Sequence, residues 1–175
     1  MQIRLRPGMT LRQGTFSAVI APERIIAAAL NDNPGLERFL FLFICGNYSR
    51  LVSHIGRQAG NFEVRRPFTA DQLLTVIREA GHTIIFIEHD PTLFETAERL
   101  LGPVGSALKE AGREALVILY SPAMDRPFAA LSRHADRLIE ILPAGEPARQ
   151  ERPHAGRLGS RGSGMPPAQT TLEVQ

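Results

Sequence analysis

Five almost unbroken apolar runs of strand length recur along this chain of 175 residues, and they constrain its fold more than any other feature. Runs of this kind, without alternation of polar residues, are typical of strands buried on both faces of a parallel sheet. A shorter candidate strand is FEV at 62–64. The five runs are FSAVI at 16–20, FLFLFIC at 39–45, TIIFI at 83–87, ALVILY at 115–120 and RLIEIL at 137–142.

Segments with helical spacing separate these runs. Thr69 and Gln72 form a capping-box signature at the start of one segment. Pro103 is expected to kink or split another, because proline removes a backbone donor and clashes with the preceding turn. Strict alternation of strand and helix predicts an α/β fold, a three-layer sandwich with a mostly parallel sheet and right-handed crossovers. The predicted helices are 22–30, 49–58, 69–80, 91–111 and 126–136.

Composition divides the chain into three parts. Residues 1–15 form a basic N-terminal segment with three arginines and no acid. Residues 16–143 form the predicted α/β domain. Residues 144–175 are rich in Pro, Gly, Ser and Arg and nearly free of large apolar side chains. Such a segment buries too little apolar surface to offset its ordering entropy, so we predict a disordered tail.

Charge, cysteine content and run length exclude several protein classes. The formal net charge is +2 and the predicted domain is nearly neutral, so direct nucleic-acid binding is expected to be weak or absent. Cys45 is the only cysteine, which excludes a disulfide framework and a cysteine zinc site. The N-terminus has no apolar signal segment and no run is long enough to span a membrane, so we expect a cytoplasmic protein. Four arginines form either a basic patch or an ordinary solvated face: Arg50, Arg57, Arg65 and Arg66.

Candidate chemistry lies where the strands end, because ligands of open α/β sheets bind outside the carboxyl ends of the strands. Glu88, His89 and Asp90 follow the run 83–87. Two carboxylates and an imidazole could hold a divalent metal or act as acid and base. The alternative is that Asp90, which precedes Pro91, caps the next helix, and strand alternation sends Glu88 and His89 to opposite sides. We therefore predict no metal site.

Signatures of several enzyme classes are missing from the sequence. There is no GxGxxG fingerprint and no G-x-S-x-G elbow, so a triad of Ser121, His89 and Asp90 is not expected. A P-loop of the form GxxxxGK[ST] needs a lysine that reaches the nucleotide phosphates. The only lysine, Lys109, follows no glycine-rich loop. We therefore expect neither ATPase activity nor a bound cofactor.

The order of these segments nevertheless resembles the RecA/RadA-type ATPase core. The resemblance covers residues 16–142 and is carried by FLFLFICGNYSRLVSHIGRQAGNFEVRRPFTADQLLTVI, HTIIFIEHDPTLF, REALVILYSP and RHADRLIEI. It implies that Glu88 stands at the place of the Walker B acid. It also implies that Tyr120 and Ser121 end the sensor strand.

Residue by residue, the catalytic parts of that core are absent. The place of the catalytic glutamate falls within residues 45–47, CGN, which offer no carboxylate. The run FSAVI passes through residues 21–23, APE, almost directly into the next helix, so the phosphate loop is deleted. The resemblance therefore implies the RecA-like fold without ATP hydrolysis.

Two functions follow from these observations. The resemblance implies a non-catalytic RecA/RadA-like paralogue, an accessory or regulatory protein in DNA recombination or repair that contacts a recombinase or itself. The alternative is a small metal-dependent enzyme or a ligand-sensing α/β module that uses the strand end 88–90. A RecA-like order also makes the strands 83–87 and 115–120 neighbours around a residual cleft. The candidate cleft residues are Asn47, Glu88, His89, Asp90, Tyr120 and Ser121.

Overall fold

The computed structural model describes residues 2–6, 8–55 and 61–142. The predicted tail, 144–175, and Arg57 lie outside the described residues. The described strands are β1 (Gln2–Arg6), β2 (Met9–Arg12), β3 (Thr15–Ile20), β4 (Phe41–Ile44), β5 (Phe62–Arg65), β6 (Ile84–Glu88), β7 (Leu116–Ser121) and β8 (Arg137–Glu140). The described α-helices are α1 (Glu23–Asn31), α2 (Ala70–Arg78), α3 (Leu101–Ala111) and α4 (Arg126–Ser132), and the 3₁₀ helices are Pro34–Arg38, Leu51–His54, Pro91–Phe94 and Glu98–Leu100. Within these described ranges, no helix is both long and apolar enough to cross a membrane.

Six strands form one sheet in the order β5-β4-β6-β7-β3-β8, and every pair in it is parallel. The strand of this sheet that comes first in the chain is β3, and it lies between β7 and β8. A flavodoxin-like sheet instead places its first strand between its second and third strands, so the order here is not flavodoxin-like. Strands β6 and β7 are neighbours, as predicted, and Glu88 lies opposite Tyr120. The predicted three-layer α/β fold with a mostly parallel sheet is confirmed.

The two faces of this sheet are covered differently. Helices α2, α3 and α4 cover one side, the helical face, whose packing is largely aliphatic. The hairpin β1–β2, helix α1 and the 3₁₀ helix Leu51–His54 cover the other side, the hairpin face. Aromatic rings cross the hairpin face from strand to strand, with neighbouring ring centroids 5.1–6.1 Å apart. These rings belong to Phe62, Phe41, Phe43, Phe86 and Tyr120.

An antiparallel hairpin occupies the segment that the sequence marked only as basic. Strands β1 and β2 pair through the turn at Gly8, whose φ of 81° suits glycine. Ile3, Leu5 and Leu11 are buried in the core of the hairpin face. The alternation of apolar and charged residues in QIRLR, followed by Pro-Gly, is the sequence signal for this hairpin.

The two predicted helices that differ most from the structure are those after β4 and β6. The predicted helix 49–58 is a 3₁₀ helix over Leu51–His54, and residues 56–60 lie outside the described residues. The predicted helix 91–111 is divided into two 3₁₀ helices and α3. Pro103 does not mark the break, because it lies in the first turn of α3, where a backbone N–H has no partner within the helix.

Candidate functional site at the carboxyl edge of the sheet

The connection from β3 to α1 is short, as the sequence predicted, and consists of Ala21 and Pro22. Ala21 donates its backbone N–H to Ser121 O at 3.3 Å, and Pro22, which has no N–H, stands at the N-cap of α1. The carboxylate of Glu23 then occupies the first helical turn. A phosphate-binding loop needs several free backbone amides and favours positive charge. This connection has neither.

Glu88 ends β6 on the hairpin face and fastens the loop that follows β4. The Ser49 hydroxyl donates to the Glu88 carboxylate, and the backbone amides of Arg50 and Leu51 also donate to it. Ser49 Oγ in turn accepts from the Val52 amide at 3.1 Å. Burial raises the pKa of Glu88, and these donors only partly oppose that effect. The Glu88 side chain thus accepts hydrogen bonds from the start of the 3₁₀ helix Leu51–His54.

His89 lies on the other side of the strand and pairs with a distant carboxylate. Its Nε2 is 2.9 and 3.0 Å from the two oxygens of Asp125, so a protonated Nε2 donates to that carboxylate. The Asp125 carboxylate also accepts from the Phe128 amide at 2.7 Å and thereby caps α4. The His89 ring packs edge-on against Phe128. Burial lowers the pKa of His89 despite the nearby Asp125 charge, and the imidazole side chain is only 2% exposed.

Asp90 caps the 3₁₀ helix that begins at Pro91, as the sequence predicted. Its Oδ1 accepts from the Thr92 amide at 3.0 Å and from the Thr92 hydroxyl at 2.7 Å. Its Oδ2 lies against Gly46, where a Cβ would collide with the carboxylate. Glycine at position 46 therefore lets this carboxylate approach the end of β4 closely.

Tyr120 and Ser121 lie near Glu88 and His89 in register but are buried. Tyr120 belongs to the aromatic packing of the hairpin face, and burial together with the charges of Glu23 and Glu88 raises its pKa to about 12. The Ser121 hydroxyl donates to Ala123 O at 2.6 Å, which makes it the turn residue that the sequence predicted. A hydroxyl used in this way is not presented to His89 as a nucleophile.

A cleft of about 320 Å³ opens between the loop after β4 and the start of the segment after β6. Four of the six predicted cleft residues line it, namely Asn47, Glu88, His89 and Asp90. Tyr120 and Ser121, the other two predicted cleft residues, do not line it. The remaining lining residues are Gly46, Tyr48, Ser49, Pro67, Phe68, Pro91, Thr92 and Leu93.

A wider depression of about 1010 Å³ lies at the opposite, amino edge of the sheet, between α2 and α3. Its charged residues include Glu110 and Arg113, which form an ion pair with each other at 2.7 Å. Ligands of parallel α/β sheets bind at the carboxyl ends of the strands. The smaller cleft is therefore the candidate site.

The predicted basic patch is only partly assembled in the described residues. Arg50, Arg65 and Arg66 are exposed. Arg65 pairs with Glu63, and Arg66 donates to the backbone oxygen of Asn47 at 3.2 Å. Arg66 thus helps to position the loop beside the cleft.

The three neighbours Glu88, His89 and Asp90 do not converge on one point. Glu88 faces the hairpin face, His89 faces the helical face, and Asp90 caps the segment that follows. Across the described residues, no group of three or more His, Cys, Asp or Glu side chains is placed to hold a metal ion. The geometry therefore gives no support to a metal-dependent enzyme at this strand end.

Asp125 and Ser49 are the site residues that the sequence did not single out. Asp125 precedes Arg126-Pro127, a pattern similar to Asp90-Pro91 with the proline one position later, so its capping role had a sequence signal. Its pairing with His89, 36 residues away, had none. Ser49 was only one of several polar residues after β4.

No protein-family model matches the chain. A protein of Archaeoglobus fulgidus described as an "Uncharacterized protein" is 39% identical over 129 residues, which make up 73% of this chain and 65% of that protein. The chain thus spans slightly less than two thirds of the length of this relative. Among solved structures, that of Mss116p bound to ssRNA and AMP-PNP aligns with a TM-score of 0.32 and 14% identity over 73% of this chain and 29% of that chain.

Proposed function

We propose that this chain is a non-catalytic RecA/RadA-like protein that acts in DNA recombination or repair as an accessory or regulatory factor, through protein contacts. The direct passage of β3 into α1 through Ala21 and Pro22 carries the non-catalytic part of this proposal. The only amide in that link donates to Ser121 O, and the next residue has no N–H at all. A nucleoside triphosphate would meet the Glu23 carboxylate there, and no lysine is present to offset the negative charge of its phosphates.

The remaining residues of the edge support the same conclusion. A catalytic acid or base must reach a substrate atom. Glu88 instead holds Ser49 and the following loop, and His89 is buried against Asp125 and Phe128. The only lysine is remote from this edge and forms an ion pair with Asp136 between α3 and the start of β8. Each group that resembles a catalytic part has a structural partner.

The recombination part of the proposal depends on the sequence resemblance over residues 16–142. A RecA-like core without a phosphate loop retains surfaces for protein contact but has lost the machinery for hydrolysis. Such a chain acts by binding a catalytic relative or a second copy. Its nearly neutral domain favours contact with protein over direct contact with nucleic acid.

Two measurements test the two parts separately. Calorimetric titration of the full chain with Mg²⁺ and ATP is expected to show no binding, and micromolar affinity would overturn the non-catalytic part. Affinity purification from the native host is expected to recover a RecA/RadA-type recombinase, and the added protein is expected to change the rate of strand exchange. If neither partner recovery nor a change in strand exchange is seen, the recombination part is rejected.

A further inference from the structure

Two highly exposed aromatic rings stand beside the cleft at the carboxyl edge. The Tyr48 residue is 96% exposed and Phe68 is 67% exposed. Both line the same cleft, together with the apolar side chain of Leu93. Single exposed apolar side chains need no explanation, but a cluster around a concave surface marks an interaction site.

The lining of this cleft is acidic. Asp90 contributes a carboxylate, as does Glu88, whose charge burial opposes, and the twelve lining residues include no arginine or lysine. Arg66 stands beside the cleft, where its guanidinium donates to Asn47 O. His89 supplies no compensating charge near neutral pH, because burial lowers its pKa. Asp90 keeps one oxygen, Oδ2, on the side of Gly46, away from the Thr92 donors. Charge complementarity therefore calls for a cation in this cleft.

We propose that the cleft formed by Tyr48, Phe68 and Asp90 receives the guanidinium group of an arginine on a partner protein. The planar guanidinium stacks on aromatic rings and pairs with a carboxylate in one pose, which an ammonium group does less well. The proposal rests on the proposed function, since it names the surface through which the protein contact is made. A nucleotide fits the same place poorly, because its phosphates would approach Glu88 and Asp90.

Nuclear magnetic resonance on the ¹⁵N-labelled full chain tests this directly. The chemical probe is N-acetylarginine amide, and the matched control is N-acetylcitrulline amide, which has a similar shape and no charge. Titration with the arginine compound is expected to shift the amides of Tyr48, Phe68 and Asp90 in a saturable way. The citrulline compound is expected to leave them nearly unchanged.

Matched variants separate the ring and charge contributions. Asp90→Asn keeps a good N-cap side chain but removes the charge. Tyr48→Ala and Phe68→Ala remove exposed rings, so none of the three changes should unfold the chain. Each is expected to weaken the binding of the arginine compound about two- to five-fold. Leu138→Ala, at an exposed position on β8, is the control and is expected to change nothing.

Four results would overturn the proposal. They are no saturable response to the arginine compound, an equal response to the citrulline compound, a response unchanged by Asp90→Asn, and saturable shifts in the cleft with AMP in place of arginine. None of these measurements uses a recombinase. If the arginine compound binds but no recombinase partner is recovered, the recombination proposal is rejected and the cleft proposal stands. If a recombinase partner is recovered but the arginine compound does not bind, only the cleft proposal is rejected.

Discussion

Glu88 and His89 are consecutive, yet they end β6 on two different faces of the sheet. On the hairpin face, hydroxyl and amide donors surround the Glu88 carboxylate and tie down the loop after β4. On the helical face, the Asp125 carboxylate accepts from the His89 imidazole and from the first turn of α4. Burial favours the neutral form of both groups, raising one pKa and lowering the other. Glu88 and His89 suggest catalysis in the sequence, but each hydrogen-bonds to a segment that covers one face of the sheet.

The two faces differ in which hydrogen-bond donors would lose their acceptor if the carboxylate on that face were removed. Loss of Glu88 would free donors in a half-exposed loop, which water can reach. Loss of Asp125 would free a buried imidazole donor and uncap a helix. A buried donor without a partner costs more than an exposed one. Truncation on the helical face should therefore be the more damaging of the two.

The largest expected effect is that of Asp125→Ala. It removes both the cap of α4 and the acceptor of His89, and should lower the free energy of unfolding by about 2–4 kcal/mol. Asp125→Asn keeps an acceptor for both donors and should cost clearly less. Urea denaturation near pH 7.5 measures both. Equal losses for the two variants would show that the capping and pairing hydrogen bonds are not what holds the helical face.

A smaller loss is expected for Glu88→Ala on the hairpin face. It leaves the Ser49 hydroxyl and the Arg50 and Leu51 amides without their acceptor. The free energy of unfolding should fall by about 1–3 kcal/mol. Glu95→Ala, an exposed acid close by in sequence, is the control and should stay within about 0.5 kcal/mol of the parent. If Glu88→Ala proved as costly as Asp125→Ala, the contrast between a half-exposed and a buried site would be wrong.

Local signals account for what could be predicted from the sequence. Apolar runs located the four central strands, β3, β4, β6 and β7, since strands buried on both faces need nearly continuous apolar residues. The edge strands β5 and β8 were also located, but they are largely unburied. Caps were readable because they act over a few residues: Thr69 accepts from the Gln72 amide, and Asp90 caps the segment after β6. The opposite orientation of Glu88 and His89 followed from strand alternation.

Long-range partners could not be predicted in the same way. The pairing of His89 with Asp125 depends on β6 and α4 meeting on one face, which no local pattern reports. The extent of helix was overestimated after β4 and β6, because helical spacing does not distinguish an α-helix from a 3₁₀ turn tied down by side chains such as Ser49. The hairpin β1–β2 has the alternation of apolar and polar residues that is typical of a strand. It was missed because residues 1–15 were assessed by their arginine content and not by this alternation.

The smallest expected effect is a difference in pH dependence between the two faces. The folded pKa of His89 lies below its ordinary value of 6.5, so the unfolded chain binds more protons in that interval and stability falls as pH drops below about 6.5. The folded pKa of Glu88 lies above its ordinary value of 4.5, so the folded chain binds more protons there and stability rises as pH drops through that interval. The two contributions oppose each other in the parent protein. Unfolding free energies of His89→Gln and Glu88→Gln between pH 4.5 and 7.5 separate them, because each variant lacks one titration.

Relative to the parent, His89→Gln should become more stable on acidification and Glu88→Gln less stable. Matching pH profiles for both variants would contradict the assignment of one titrating group with a shifted pKa to each face.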